Sequence, residues 1–350
     1  MTLFTPTLLR WYKEHGRVDL PWRNISDPYL IWVSEVILQQ TQVAHGLNYY
    51  LQFIQAFPTF KDLAVAQEDE VLRLWQGLGY YSRARNMHAA AQYIADREKF
   101  PATYEEIRKL KGIGEYTAAA ICSFAYNQPY AVLDGNVYRV LSRYFGISTP
   151  IDTTAGKKEF SYLANELLDP KNSAKYNSAI MDFGALQCRP KAPNCQQCPL
   201  QETCSAYIQN NVEELPVKSK KVKIRERFFT YLVFTHSNTI FLRKRPAGDI
   251  WQGLYEPLLI ENNNSKNITE IINTLSSTLP NQTYTISPIA ESVSHVLTHQ
   301  RLNINFYDIK LETIPEFVRK DFTAVKIESI HEYGMPQVVK KILINYFMNK

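Results

Sequence analysis

The sequence predicts a multidomain chain: an all-α domain over residues 1–215, followed by an α+β domain over residues 228–350. Three observations lead there. At ~150 residues per domain, a length of 350 suggests two domains. The apolar period changes from helical to alternating after residue 227. The charge also divides there: residues 1–215 carry 21 Lys+Arg against 22 Asp+Glu, and residues 216–350 carry 18 against 12. Much of the excess lies in "PVKSKKVKIRER" (216–227), which reads as a basic linker. A weak positive bias of this kind is compatible with nucleic acid without proving it. A hydrophobic content of 45% is enough for a sizeable core. No run approaches the ~18 uninterrupted apolar residues of a membrane helix. The N-terminus lacks a cleavable signal pattern, and five cysteines do not make a disulfide scaffold in a chain this long. The chain reads as soluble and cytoplasmic, with no membrane partner.

The elements follow in order. "MTLFTPTLLRWYKEHG" reads as an amphipathic helix. "DPYLIWVSEVILQQTQVAHGLNYYLQFIQAF" offers Asp27 as N-cap and Pro28 at the first helical position, then helix-period apolar residues. "DEVLRLWQGLGYYSRARNMHAAAQYIADR", "TYEEIRKL", "EYTAAAICSFAY", "NVYRVLSRYFG" and "KKEFSYLANELL" repeat that period. Gly and Pro punctuate them at "GLG", "KFPAT", "KGIG" and "DGN". Beyond the linker, "RFFTYLVFT" and "NTIFLRKR" read as a hairpin of two strands. "ITEIINTLSSTL" reads as a helix, "SHVLTHQRLNINFYDIKL" alternates like a strand with a turn in it, and "MPQVVKKILINYF" reads as a closing helix.

Four stretches carry chemistry. In "KGIGEYTAAA", Gly112 and Gly114 permit a tight turn and a close backbone approach. The following helix offers unpaired N–H groups and a positive dipole end, which suit a phosphate; an ordinary helix connection would look the same. Cys188, Cys195, Cys198 and Cys204 stand at C-x6-C-x2-C-x5-C, a strong metal signature that admits tetrahedral zinc or a [4Fe–4S] cluster. The fifth, Cys122, reads as a buried core thiol. Glu35 has apolar neighbours throughout "YLIWVSEVILQQTQV". Against apolar walls its pKa would rise, as a general acid needs, whereas on a polar stripe with Gln39 and Gln42 it would be a solvated residue. Asp134 immediately precedes a helix, so it is either a simple N-cap or a carboxylate that stays ionised beside developing positive charge. Two carboxyl groups in opposed protonation states can cleave a glycosidic bond through an oxocarbenium-like transition state.

Together these residues resemble the helix–hairpin–helix DNA glycosylases with an iron–sulfur loop. "LPWR" (20–23), "SEVILQQTQV" (34–43), "GLGYYSRARN" (77–86), "LDGNVYRV" (133–140) and "MDFGALQC" (181–188) narrow the resemblance to the MutY-type adenine glycosylases, over almost the whole chain. One departure is Lys111, where the hairpin commonly has Pro. The resemblance implies one [4Fe–4S] cluster on the loop 188–204, ordering Arg189 and Lys191 against DNA phosphates, and a monomer. It implies a substrate, adenine mispaired with 8-oxoguanine or guanine in double-stranded DNA, flipped into a pocket. Leu20, Trp22, Arg23 and Asp182 would help form that pocket, and Gln40 and Tyr80 would enter the duplex. Glu35 would protonate the leaving adenine, and Asp134, supported by Asn136, would stabilise the oxocarbenium ion until water adds. Tyr116 stands where strand-cutting relatives carry a Schiff-base lysine. The resemblance therefore implies a monofunctional enzyme of base excision repair. A bifunctional pyrimidine glycosylase/lyase is disfavoured by Tyr116, and a non-catalytic iron–sulfur DNA-binding protein by the retention of both carboxyls. The C-terminal domain resembles the Nudix hydrolases around "FLRKRPAGDIWQGLYEP" but lacks their R-E-x-x-E-E helix, so it reads as a binding module. Leu297-Thr298-His299 stands where the family often has Phe-Ser-His. Thr298 and His299 would contact the oxidised guanine.

Overall fold

The computed structural model describes residues 3–219, 224–262, 268–280 and 282–348. Residues 220–223 of the expected linker lie outside them. Residues 1–65 and 89–221 form one compact unit, and residues 66–88 with 222–350 form the other. The segment 66–88, read from the sequence as part of the helical domain, thus groups with the C-terminal residues.

The helices of the first unit begin with α1 (Phe4–His15), α2 (Pro28–Ile37), α3 (Val43–Ala56) and α4 (Phe60–Val65). Asp27 caps α2 by accepting from the backbone N–H groups of Tyr29 and Leu30, with Pro28 inside the first turn. The single long helical stretch expected over 27–57 is broken at residues 38–42, where Gln40 adopts a left-handed φ of 57°. The polar run Gln39-Gln40-Thr41-Gln42 has no apolar face to bury, so packing does not hold it helical. From Tyr29 to Ile37 only Leu30 escapes burial, so α2 is buried on every side.

In the second unit, α5 (Glu68–Leu74) and the start of α6 (Ser82–Ala95) flank a loop. Gly77, Gly79 and Tyr80 in that loop all have positive φ. The helical pattern over 69–97 is interrupted there, at the glycine punctuation read as "GLG", because left-handed residues cannot continue a right-handed helix.

The first unit continues with α7 (Tyr104–Arg108), α8 (Glu115–Tyr126), α9 (Gly135–Phe145), α10 (Thr154–Leu167), α11 (Ser173–Leu186) and the short α12 (Ser205–Ile208). Phe4, Leu8, Ala120, Val140, Phe160 and Ile180, from α1, α8, α9, α10 and α11, share one core. Cys122 on α8 is fully buried.

The second unit holds a mixed sheet built on β1 (Arg225–His236). The strand pairs as a hairpin with β2 (Thr239–Lys244), and β3 (Tyr255–Glu256) pairs with β2. β4 (Leu258–Asn262) lies antiparallel to β1. After α13 (Ile268–Thr278), the chain runs through β5 (Tyr284–Val296) and β6 (Gln300–Leu311), which is parallel to β1. α14 (Glu316–Asp321), β7 (Thr323–Lys326) against β2, and α15 (Gln337–Met348) complete it. Strand side chains alternate between faces. Phe229, Tyr231 and Val233 pack with Val339 and Leu343 of α15, while Leu232 and Phe234 pack with Ile271 and Leu275 of α13. Burial on both faces explains why β1 reads as a continuous apolar run. The expected linker loses its last residues to this strand: Arg225, Glu226 and Arg227 are already in register with Gln300, Arg301 and Leu302.

Candidate active site

The hairpin between α7 and α8 divides its work between two glycines. Gly112 has φ of 81° and makes the turn. Gly114 is extended and is the N-cap of α8, so the turn does not require it. A Cβ at Gly114 would meet nothing within 4 Å, so the backbone there faces open space. That leaves the N-terminus of α8 accessible to an outside group.

On α8, Tyr116 points its hydroxyl at Glu35 of α2 and donates to Oε2 at 2.6 Å. Glu35 is 7% exposed, in the wall of a cavity of about 460 Å3. Burial pushes the Glu35 pKa up, and the Asp134 charge adds to the rise; the Tyr116 bond and the Arg23 guanidinium oppose it. Since α2 is buried all round, the polar stripe that would have exposed Glu35 with Gln39 and Gln42 does not form there.

Asp134 is the N-cap of α9 and accepts from the Val137 N–H at 2.8 Å and from Asn136 Nδ2 at 2.7 Å. Capping and a chemical role are therefore compatible. Burial also pushes the Asp134 pKa up, against those hydrogen bonds and Arg139. The expectation of an easily ionised Asp134 thus meets an opposing desolvation, which the positive end of α9 further offsets. Behind Asn136 stands Arg139. It donates through Nη2 to Asn136 Oδ1 at 2.8 Å and to the Gly184 carbonyl at 2.7 Å, and through Nε to the Cys188 carbonyl at 2.8 Å. A Cβ on Gly184 would stand 2.7 Å from Asn136 Cβ, which accounts for glycine at that crossing of α9 and α11.

Trp22, Arg23 and Glu35 line the cavity together, whereas Leu20 and Asp182 are outside its lining. Leu20 instead closes the turn before Arg23 with its carbonyl. Asp182 is fully buried and accepts from Arg17 Nη2 at 2.5 Å and Arg23 Nη2 at 3.3 Å. Arg23 also donates to Ser178 Oγ, and its buried Nε has no partner among the described residues. Sequence reasoning missed Arg17, Ser178 and Lys175. Ser178 and Lys175 line the cavity one and two helical turns before Asp182, so the helical repeat of α11 was the available signal.

Cys188, Cys195, Cys198 and Cys204 line one small cavity of about 30 Å3, with Arg143. Arg143 Nη1 reaches Cys188 Sγ at 3.5 Å and the Arg189 carbonyl at 2.7 Å. Among the described residues, no three or more His, Cys, Asp or Glu side chains are grouped so as to hold one metal ion. Four thiol side chains lining one shared space have the donor type that suits tetrahedral zinc or an iron–sulfur cluster.

Gln40 is exposed on the loop after α2. In the second unit, Tyr80 has φ of 46° and is 44% exposed. Its hydroxyl donates to Thr298 Oγ1 at 2.5 Å. His299 is exposed, and its carbonyl accepts from the Arg225 N–H at 3.0 Å.

A hairpin fronting α8, with the buried Glu35 carboxyl in a cavity wall and the Asp134 carboxylate at the N-terminus of α9, defines the helix–hairpin–helix DNA glycosylase class. A family model described as "HhH-GPD superfamily base excision DNA repair protein" matches residues 33–168, and a NUDIX domain model matches residues 230–345. The chain is 34% identical to the adenine DNA glycosylase of Buchnera aphidicola subsp. Acyrthosiphon pisum over 353 residues, 99% of this chain and 98% of that one. It is 42% identical to the human adenine DNA glycosylase over 226 residues, 61% of this chain and 41% of the relative. A solved thermostable thymine-DNA glycosylase superposes with a TM-score of 0.55 at 30% identity, covering 59% of this chain and 96% of that chain. The chain belongs to the adenine DNA glycosylase family. Among the described residues, no helix is long and apolar enough to cross a membrane.

Proposed function

We propose that this chain acts as a monomer inside the cell and removes adenine mispaired with 8-oxoguanine or guanine from duplex DNA, leaving the strand uncut. The observation that carries the reading is the buried Glu35 carboxyl, bonded by Tyr116 in the wall of a base-sized cavity. Burial favours the protonated form of this carboxyl, the form that can deliver a proton to a leaving base. Asp134, ordered by Asn136 and the N–H of Val137, offers negative charge to the oxocarbenium-like sugar while water adds. Tyr116 holds Glu35 and is kept a neutral phenol by burial, and a tyrosine supplies no amine for a Schiff base.

Trp22 and Arg23 contact the flipped adenine, with Leu20 shaping the turn beside them. Asp182 acts at second hand, by fixing Arg17 and Arg23. Gln40 and Tyr80 fill the disturbed stack; a strained left-handed backbone at an exposed side chain suits a residue held out for a partner. Gly112 shapes the hairpin and Gly114 lets a DNA phosphate approach the N-terminus of α8. Cys188, Cys195, Cys198 and Cys204 hold one [4Fe–4S] cluster, which orders the loop carrying Arg189 and Lys191 against the DNA backbone. Thr298 and His299 read the oxidised guanine. The basic segment 216–227 joins the glycosylase domain to the Nudix-like domain, with its last three residues already in β1.

Single-turnover excision tests the two-carboxyl reading. Glu35→Gln and Asp134→Asn should each slow adenine release by roughly 10²–10³-fold or more while mismatch affinity is largely kept. Near-normal excision by either variant overturns it.

A further inference from the structure

All five N–H donors of Arg227 are taken. Nε donates to Glu261 Oε1 at 2.7 Å and Nη2 to Glu261 Oε2 at 2.5 Å. Nη1 and Nη2 donate to the two Asp249 oxygens at 2.7 and 2.6 Å. The remaining Nη1 hydrogen goes to Gln300 Oε1 at 3.0 Å. Arg245 braces the same carboxylate, donating to Asp249 Oδ2 at 2.5 Å. A guanidinium carries donors and no acceptor, so it dictates which end of the Gln300 amide faces it. The oxygen turns to Arg227. The Gln300 nitrogen keeps two N–H donors that have no acceptor among the described residues. Gln300 lines a cavity of about 370 Å3 together with Tyr80, Trp251, Thr298 and His299.

We propose that Gln300 is a specificity-determining residue whose Nε2 donates to the C8 carbonyl oxygen of 8-oxoguanine. The inference rests on the reading of Thr298 and His299 given above. Oxidation changes that edge of guanine in two ways: C8 gains a carbonyl acceptor, and N7 changes from acceptor to N–H donor. Thr298 Oγ1 accepts from Tyr80 and retains a lone pair for the N7 hydrogen. Gln300, with its orientation fixed by Arg227, supplies the donor that the C8 oxygen needs. The two side chains sit on one turn and together match the oxidised edge, while plain guanine leaves the Gln300 donor without that oxygen.

The test uses the full chain and duplexes holding a non-cleavable 2′-fluoroadenosine opposite 8-oxoguanine or guanine. The readout is the ratio of the two affinities in wild type, Thr298→Ala, Gln300→Leu and Gln300→Glu. Gln300→Glu retains an acceptor for Arg227 but replaces the amide donor with a carboxylate oxygen. It should lower the ratio by about tenfold or more, and Gln300→Leu by about two- to tenfold, the range of one lost neutral hydrogen bond. If Gln300 only tethers Arg227, the Glu variant keeps the wild-type ratio and the proposal is wrong. If Thr298→Ala narrows the ratio and neither Gln300 variant does, the proposal falls and the reading of the turn stands. If none of the three variants moves the ratio, both fall.

Discussion

Glu35 destabilises the fold that carries it. Its carboxyl is pushed up by burial, so the native state favours the protonated form more than the unfolded chain does. The folded pKa lies above the unfolded one, so stability is lost as pH rises through the interval between them and stays lost above it. Glu35→Gln should therefore raise the melting temperature at neutral pH, and the gain should shrink as pH falls into the ordinary carboxylate range. Thermal melts at several pH values check this; a variant less stable than wild type at pH 7 would contradict it. The same sign governs activity. Excision that needs the Glu35 proton should decline on the alkaline side, at a pH above the usual carboxylate range, in a single-turnover pH profile. The sequence showed apolar neighbours around Glu35 but not its burial, because periodicity cannot tell a helix with one wet face from one buried all round. It also marked Asp182 as a pocket residue. The side chain turned out to lie behind the pocket, since a motif fixes a residue's neighbourhood and not the direction of its carboxylate.

Two glycines two residues apart in the hairpin element should respond differently to the same change. Gly112→Ala puts a Cβ on a left-handed residue and should destabilise by about 1–2 kcal/mol. Gly114→Ala meets no atom of the protein and keeps an extended φ, so its stability should change by less than about 1 kcal/mol. Its DNA affinity should nonetheless fall, by about tenfold, because the methyl occupies the space through which a phosphate approaches. Denaturant melts and duplex titrations separate the two effects; unchanged DNA affinity in Gly114→Ala would remove the hairpin from the interface. Helices with strong caps and apolar faces were legible in the sequence: α2 starts at Pro28 behind Asp27, and α8 covers the segment Glu115–Tyr126. The glycines of "GLG" marked the break after α5, but the break after α2 was less legible: the left-handed turn at Gln40 uses a residue with no intrinsic preference for that backbone, so only tertiary structure reveals it.

For the whole chain, two-domain character and the metal signature were the most legible features, since both rest on composition and spacing. The grouping of residues 66–88 with the C-terminal unit was not legible, because sequence neighbours carry no sign of which distant residues they pack against. Between Cys188 and Cys204, Leu200 is the one buried side chain among the described residues, so this segment has little apolar burial of its own to hold it. Purified protein should be yellow-brown. Stripping the iron should lower the melting temperature by at least about 5 °C, through loss of a structural centre, in a melt followed by circular dichroism. A colourless chain holding one zinc would overturn the cluster assignment. The central claim is adenine excision without strand cutting, and one assay addresses it most directly. A duplex with a single adenine opposite 8-oxoguanine is incubated with the full chain, and free base and strand length are followed with and without alkali. The account predicts stoichiometric release of free adenine and a strand that stays whole until alkali is added. Retention of the adenine, or a strand cut before alkali, would contradict it.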